Sequence, residues 1–172
     1  ISTALNMEDK GKLYSCDLYP HKTDLIEKGA DRLGLKSITT LCLDARKLKL
    51  HIHDADRVLC DVPCSGLGVI GRKPEIKYKS LDSIKELPVL QYDILDNCSQ
   101  MVKSAGTLVY STCTLNPAEN EEVCERFLAE HNDFYICRSG FYAQTVGTEK
   151  YLTVFPSAEG GDGFFTAKFM RR

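Results

Sequence analysis

Two cysteines carry the sharpest chemical suggestion in this 172-residue chain. Cys64 and Cys113 each lie in a short polar turn, Pro63-Cys64-Ser65 and Thr112-Cys113-Thr114, just past an apolar run that reads as a buried strand. A thiol becomes a nucleophile as its thiolate, which a nearby cation or helix N-terminus favours. The helix expected from Pro117 onward would serve Cys113 in this way. The other six, Cys16, Cys42, Cys60, Cys98, Cys124 and Cys137, read as packing residues, since buried cysteines are common and inert as a class. There is no C-x-x-C pair and no Cys/His cluster at zinc spacing, so no metal site is expected.

Carboxylates mark the same kind of place. Three successive strand-like runs end in Ser15-Cys16-Asp17, Cys42-Leu43-Asp44 and Leu59-Cys60-Asp61. In open α/β sheets ligands bind beyond the carboxyl ends of the strands. An Asp there can accept hydrogen bonds from ribose hydroxyls or an adenine amino group. The plainer reading, an Asp that opens a turn or caps a helix, stays open for each one.

After the third run comes Gly66-Leu67-Gly68-Val69-Ile70-Gly71, a literal G-x-G-x-x-G. The dinucleotide fingerprint needs those glycines to open an amphipathic helix, with an acid about 20 residues on. The next eight residues, from Arg72 to Lys79, contain Pro74 and little apolar periodicity. The fingerprint is therefore rejected, and the glycines read as a flexible loop rimming a pocket. The loop then turns basic, with Arg72, Lys73, Lys77 and Lys79 against Glu75. With Tyr78, these cations could grip phosphates and stack on a base.

The elements that must position these groups alternate as in an α/β fold. Strands are expected at 12–16, 38–43, 57–62 and 106–111, apolar enough for burial on both faces of a parallel sheet. Weaker strands are expected at 134–137, 152–155 and 164–169. A helix over 21–33 would turn Leu25, Ile26, Ala30 and Leu33 inward and stop at Gly34. A second is expected over 81–103. A third runs from an Asn116 cap through Pro117 and Glu119 to about residue 130. The expected fold is an α/β, doubly wound, mostly parallel sheet with helices on both faces.

Composition sets the limits. With 43% hydrophobic and 27% charged residues the chain is an ordinary globular sequence rather than a disordered or coiled-coil one. No apolar run approaches the roughly 18 residues of a membrane span. A net charge of −2 rules out a globally basic nucleic-acid coat but allows a local basic patch. Free thiols suggest a reducing, cytoplasmic setting.

The run Asp61-Val62-Pro63-Cys64-Ser65-Gly66-Leu67-Gly68, with Arg72-Lys73-Pro74-Glu75-Ile76-Lys77, closely resembles motif IV of the RsmB/Sun-type RNA cytosine-5 methyltransferases. Tyr110-Ser111-Thr112-Cys113-Thr114-Leu115-Asn116-Pro117-Ala118-Glu119-Asn120-Glu121 resembles their motif VI, and Gly161-Asp162-Gly163-Phe164-Phe165 the motif that closes their catalytic domain. The resemblance spans essentially the whole chain. It implies a Rossmann-like class I methyltransferase that uses S-adenosyl-L-methionine to make 5-methylcytosine in RNA, with ribosomal RNA favoured and transfer RNA possible. It further implies that Cys113 attacks carbon 6 of the base, that Cys64 assists resolution of the adduct, and that Asp61 is the acid near N3. Asp17, Asp44 and Asp61 would surround the cofactor, Asp17 at the ribose and Asp44 near the adenine. Arg72, Lys73, Lys77 and Lys79 would meet the RNA.

The family's first strand, its glycine-rich cofactor loop with a following lysine, and its common N-terminal RNA-binding extension have no counterpart here. Residues 1–5 read as the tail of the helix after that loop. The expectation is a single partial catalytic domain over 1–172, inactive alone and a poor cofactor binder, with a strand missing mid-sheet. The alternative in another class is a non-catalytic RNA-binding or assembly module. A DNA cytosine methyltransferase shares the chemistry but leaves Thr112-Cys113-Thr114 unexplained. A NAD-dependent oxidoreductase rests only on the rejected glycine pattern.

Overall fold

The computed structural model describes residues 1–47, 52–137, 150–157 and 160–172. The chain divides into two compact units, Ile1–Lys49 and Leu50–Arg172.

In the first unit, helix α1 (Ser2–Asn6) leads to strand β1 (Leu13–Asp17), helix α2 (Pro20–Arg32) and strand β2 (Ile38–Cys42). The two strands pair in parallel, from Leu13↔Ile38 to Asp17↔Cys42. Helix α2 opens with Pro20, whose missing N–H costs nothing in a first turn. It stops where expected: Gly34 takes φ +67°, and the Gly34 and Leu35 amides bond back to Asp31 and Ala30. Its inward face differs from the expected one. Thr23 and Ala30 are buried with Ile26 half-buried between them, whereas Leu25 is 66% exposed and Leu33 also lies outside. Thr23, Ile26 and Ala30 are spaced three and four apart, and that stripe faces the strands.

The second unit holds β3 (Ala55–Asp61), short helix α3 (Leu81–Lys85), α4 (Leu87–Ser99), β4 (Val102–Thr112), α5 (Glu121–Glu130), β5 (Phe134–Ile136), β6 (Leu152–Val154) and β7 (Phe164–Arg171). Its sheet is mixed, in the order β3-β4-β7-β5 with β6 also on β7. Strands β3 and β4 run parallel, ending at Asp61↔Ser111, and β7 runs antiparallel to β4, β5 and β6. The α/β class stands, and all seven expected strands form within a few residues of their anticipated positions.

Two expectations need correction. The helix expected over 81–103 is two helices followed by the start of a strand. Pro88 has no N–H to continue a helical ladder back to Ile84 and so sits in the first turn of a new helix. At the far end Val102 is drawn into pairing with Ala55, a tertiary contact that overrides local helical spacing. Burial on both faces holds for the inner half of β4 but not for β1 or β3, where Tyr14 and Leu59 stand exposed. Each of those strands has a single pairing neighbour among the described residues.

The core of this unit is aromatic. Phe127 of α5 lies 5.0 Å from Phe169 and 5.3 Å from Phe134, ring centre to ring centre. Leu95, Leu108, Tyr110 and Phe165 are fully buried with it, each contributing roughly 1.5–3 kcal/mol of burial. Helix α4 packs against β3 and β4, and α5 packs against α4 and β5.

Candidate active site

Cys64 and Cys113 come together. Their strands are parallel neighbours, the Val62 N–H donates to the Ser111 carbonyl at 3.2 Å, and the two turns beyond therefore start side by side. The Sγ atoms are 3.1 Å apart, and both residues are half-buried. Burial, and then donation toward Cys113, push the Cys64 thiol up to about 12, so Cys64 is a neutral S–H at ordinary pH.

The two turns are held by a buried polar network. Glu119 has no exposed surface, and its carboxylate is ringed by donors. Oε2 accepts from the Ser65 N–H at 2.8 Å and from Gln91 Nε2 at 3.0 Å. Oε1 accepts from Asn116 Nδ2 at 3.0 Å, with the Thr114 hydroxyl at 3.5 Å. The Ser65 and Thr114 hydroxyls meet at 2.7 Å, linking the cysteine turns directly. Asn116 caps as expected, accepting from the Ala118 N–H at 3.3 Å, although it caps a 3₁₀ turn (Pro117–Glu119) that precedes α5.

The glycine run is a packed turn rather than a loose rim. Gly66 adopts φ +79°. A Cβ on Gly68 would stand 2.3 Å from the Gly163 carbonyl oxygen, so only glycine permits this approach. The Gly68 N–H donates to the Cys113 carbonyl at 3.0 Å, and the Gly163 N–H to the Gly68 carbonyl at 2.7 Å. The 161–163 segment thus clasps the turn between the two cysteines.

The three acids occupy the expected strand ends with different surroundings. Asp61 ends β3, and partial desolvation raises its carboxyl above the usual range. Asp17 ends β1, with Oδ1 accepting from the Tyr19 N–H at 3.0 Å and Oδ2 3.5 Å from Lys22 Nζ. Asp44 follows β2 and is gripped by Arg46, with Nη2 to Oδ2 at 2.6 Å and Nε to Oδ1 at 3.0 Å. Those hydrogen bonds hold its carboxyl down at about 2.

The four loop cations are exposed and fall into two pairs. Arg72 forms an ion pair with Asp162 at 2.5 Å, and Lys79 Nζ donates to the Ser65 carbonyl at 2.8 Å. No ion pair joins Lys73 or Lys77 to another described residue. Tyr78 beside them is 89% exposed.

Sequence reasoning missed Glu119, Asn120 and Gln91 as members of the site. Glu119 reads as a helix-start acid, and Asn120 and Gln91 carry no local signal of burial. Gln91 lies one position from the expected apolar face of its helix and is fully buried, with Nε2 also donating to the Pro63 carbonyl at 2.9 Å. Among the described residues no group of three or more His, Cys, Asp or Glu could hold a metal ion, and no helix is long and apolar enough to cross a membrane.

Comparison with known proteins adds a second line of observation. Residues 2–170 match the family model described as 16S rRNA methyltransferase RsmB/F. The chain is 41% identical over 174 residues to the probable ribosomal RNA small subunit methyltransferase B of Bacillus subtilis, covering 96% of this chain and 39% of that protein. It is 44% identical over 171 residues to ribosomal RNA small subunit methyltransferase B of Escherichia coli O1:K1, covering 98% and 38%. The crystal structure of NSun6 from Pyrococcus horikoshii with SFG superposes with a TM-score of 0.86 at 28% identity, covering 98% of this chain and 44% of that one. The chain therefore spans about two-fifths of the length of the relatives it matches.

Proposed function

This chain belongs to the RsmB/F family of 16S rRNA methyltransferases, and from that membership we propose that it forms part of an S-adenosyl-L-methionine-dependent RNA cytosine-5 methyltransferase working through a covalent Cys113–carbon 6 adduct. The observation that carries the reading is the 3.1 Å contact between Cys64 and Cys113 at the carboxyl ends of two parallel strands. Both units are taken as parts of one catalytic domain, since the family match runs across them. Small-subunit ribosomal RNA is the favoured substrate, by analogy with the named relatives, and the cytoplasm the favoured compartment.

Carbon 5 of cytosine is a weak nucleophile. Addition of the Cys113 thiolate forms an S–C6 bond and places electron density on carbon 5, while Asp61 gives its proton to N3. A carboxyl raised by desolvation keeps that proton to a higher pH than an ordinary Asp, which suits the role. When bound, the cofactor supplies an electrophilic methyl group to carbon 5. A water then takes the carbon-5 proton, the S–C6 bonding pair returns to the sulfur of Cys113 beside the Cys64 S–H, and the N3 proton returns to the Asp61 carboxylate. A neutral Cys64 can donate to that departing sulfur. The base must be unstacked to reach such a site, as in a loop or single strand.

The cofactor reading fits the carboxylates unequally. Asp17 keeps one oxygen tied only by a loose ion pair at 3.5 Å and is free to accept from ribose hydroxyls. Asp44 must exchange part of its Arg46 contact to meet an adenine.

In the full-length protein, Cys113→Ala is expected to abolish methyl transfer. Cys64→Ala is expected to accumulate a protein–RNA adduct that survives a denaturing gel. A Cys64→Ala enzyme that turns over at the parental rate without an adduct overturns the assignment. Transfer to DNA but not RNA oligonucleotides overturns the substrate class.

A further inference from the structure

Residues 119 and 120 are adjacent, polar and inaccessible, at 0% and 1% exposure. Burying a carboxylate beside a carboxamide is costly unless both are hydrogen-bonded. Their partners divide between the two cysteine turns. Glu119 serves the first: Oε2 accepts from the Ser65 N–H, and from the Gln91 nitrogen that also donates to the Pro63 carbonyl. Asn120 serves the second: Oδ1 accepts from the Thr112 hydroxyl at 2.6 Å, and Nδ2 donates to the Thr114 carbonyl at 3.0 Å. The residues on either side of Cys64 and of Cys113 are thus tied to one dipeptide. The dipeptide itself is anchored from the core, where the buried Tyr110 hydroxyl donates to the Glu119 carbonyl at 2.6 Å.

We propose that Glu119 and Asn120 are positioning residues that set the separation of the Cys64 and Cys113 sulfurs. The dipeptide acts as a common strut. Moving it relative to either turn moves one sulfur away from the other, and a misplacement of about 1 Å can cost on the order of a hundredfold in a reaction that depends on alignment. Glutamate is required at 119 because every group around its two oxygens is a donor. In either orientation of its amide, a glutamine there would set an NH₂ against an N–H donor, of Asn116 on one side or of Ser65 and Gln91 on the other.

The test reads the sulfur separation without reference to methyl transfer. In full-length protein, equilibration with reduced and oxidised glutathione gives the effective molarity of the Cys64/Cys113 pair. The protein dithiol plus oxidised glutathione yields the protein disulfide plus two reduced glutathiones, and the cross-linked peptide is quantified by mass spectrometry. Glu119→Gln is expected to lower that effective molarity by about tenfold or more. A Phe127→Leu control with a comparable loss of thermal stability is expected to leave it unchanged. An unchanged value in folded Glu119→Gln, or an equal fall in the control, overturns the proposal. Should Glu119→Gln not fold, Gln91→Leu decides, with a smaller fall expected and no fall overturning it. A second readout rests on the methyltransferase reading: with both cysteines intact, Glu119→Gln is expected to accumulate adduct, because Cys64 no longer meets the departing sulfur. No adduct in Glu119→Gln while Cys64→Ala traps one overturns the positioning role. No adduct in either, with effective molarity still lowered, counts against the adduct mechanism and leaves the strut standing.

Discussion

The carboxyl ends of the β1–β2 pair and of the β3–β4 pair present similar chemistry built in opposite ways. At the first, Asp17 is tied to Tyr19 and Lys22, and Asp44 to Arg46, all within five residues along the chain. At the second, the bonds that matter join residues 49 and 54 apart, Ser65 to Thr114 and Ser65 to Glu119. Local, solvent-facing contacts exchange partners at small cost, as the proposed cofactor role of these acids would need. Buried non-local contacts hold geometry in advance, as the proposed two-cysteine mechanism would need.

The largest expected effect tests whether that contrast is one of energy. Glu119→Ala strips an acceptor from the Ser65 amide, Gln91 and Asn116 in a buried setting, and is expected to cost about 2–4 kcal/mol. Asp17→Ala removes one exposed turn bond and a loose ion pair and is expected to cost under about 1 kcal/mol. Urea unfolding of the two full-length variants measures both. Equal losses would break the comparison.

The same contrast decides what the sequence could reveal. The cysteines and acids are legible because strands announce themselves as apolar runs and the residue after a strand's end has a known place. Gly34 and Asn116 are legible because helix ends are local events. Glu119 is not, since nothing within ten residues of it encodes a Ser65 amide 54 positions away. Arg72 and Lys79 likewise read as two more loop cations, and only the fold shows one on Asp162 and the other on the Ser65 carbonyl. The helix misread over 81–103 fails for the same reason at its far end, where the pairing partner of Val102 is Ala55.

A smaller effect sharpens the contrast by pH. With its thiol pushed up to about 12 by burial, Cys64 should be carbamidomethylated slowly at pH 8. Its thiolate fraction lies about three orders of magnitude below that of an ordinary thiol, and greater intrinsic nucleophilicity recovers part of this, leaving it about fiftyfold slower. The sign follows from the raised value: its rate should keep climbing from pH 8 to pH 10, where the same residue in urea-denatured protein has levelled off. Peptide mapping of iodoacetamide products tracks it. A folded-state profile that levels off near pH 9 would show that the pair is not desolvated as the geometry requires.

The basic loop contains the contrast in miniature and gives the smallest effect. Arg72 and Lys79 already have partners within the protein, whereas Lys73 and Lys77 form no ion pair with the described residues. A cation that meets a phosphate releases counterions, lowering the salt slope of single-strand binding by about 0.7 per contact when it is removed. Lys73→Ala with Lys77→Ala should therefore flatten the slope by about 1.4, or about sevenfold in affinity between 50 and 200 mM salt. Lys79→Ala should leave the slope nearly intact and instead loosen the Cys64 turn, since its ammonium holds the Ser65 carbonyl. Fluorescence anisotropy with an RNA oligonucleotide over a salt series separates the two outcomes. Equal slope losses from Lys79→Ala and from either Lys73→Ala or Lys77→Ala would mean that the Ser65 contact yields to RNA, and that held and open cations on this loop are interchangeable.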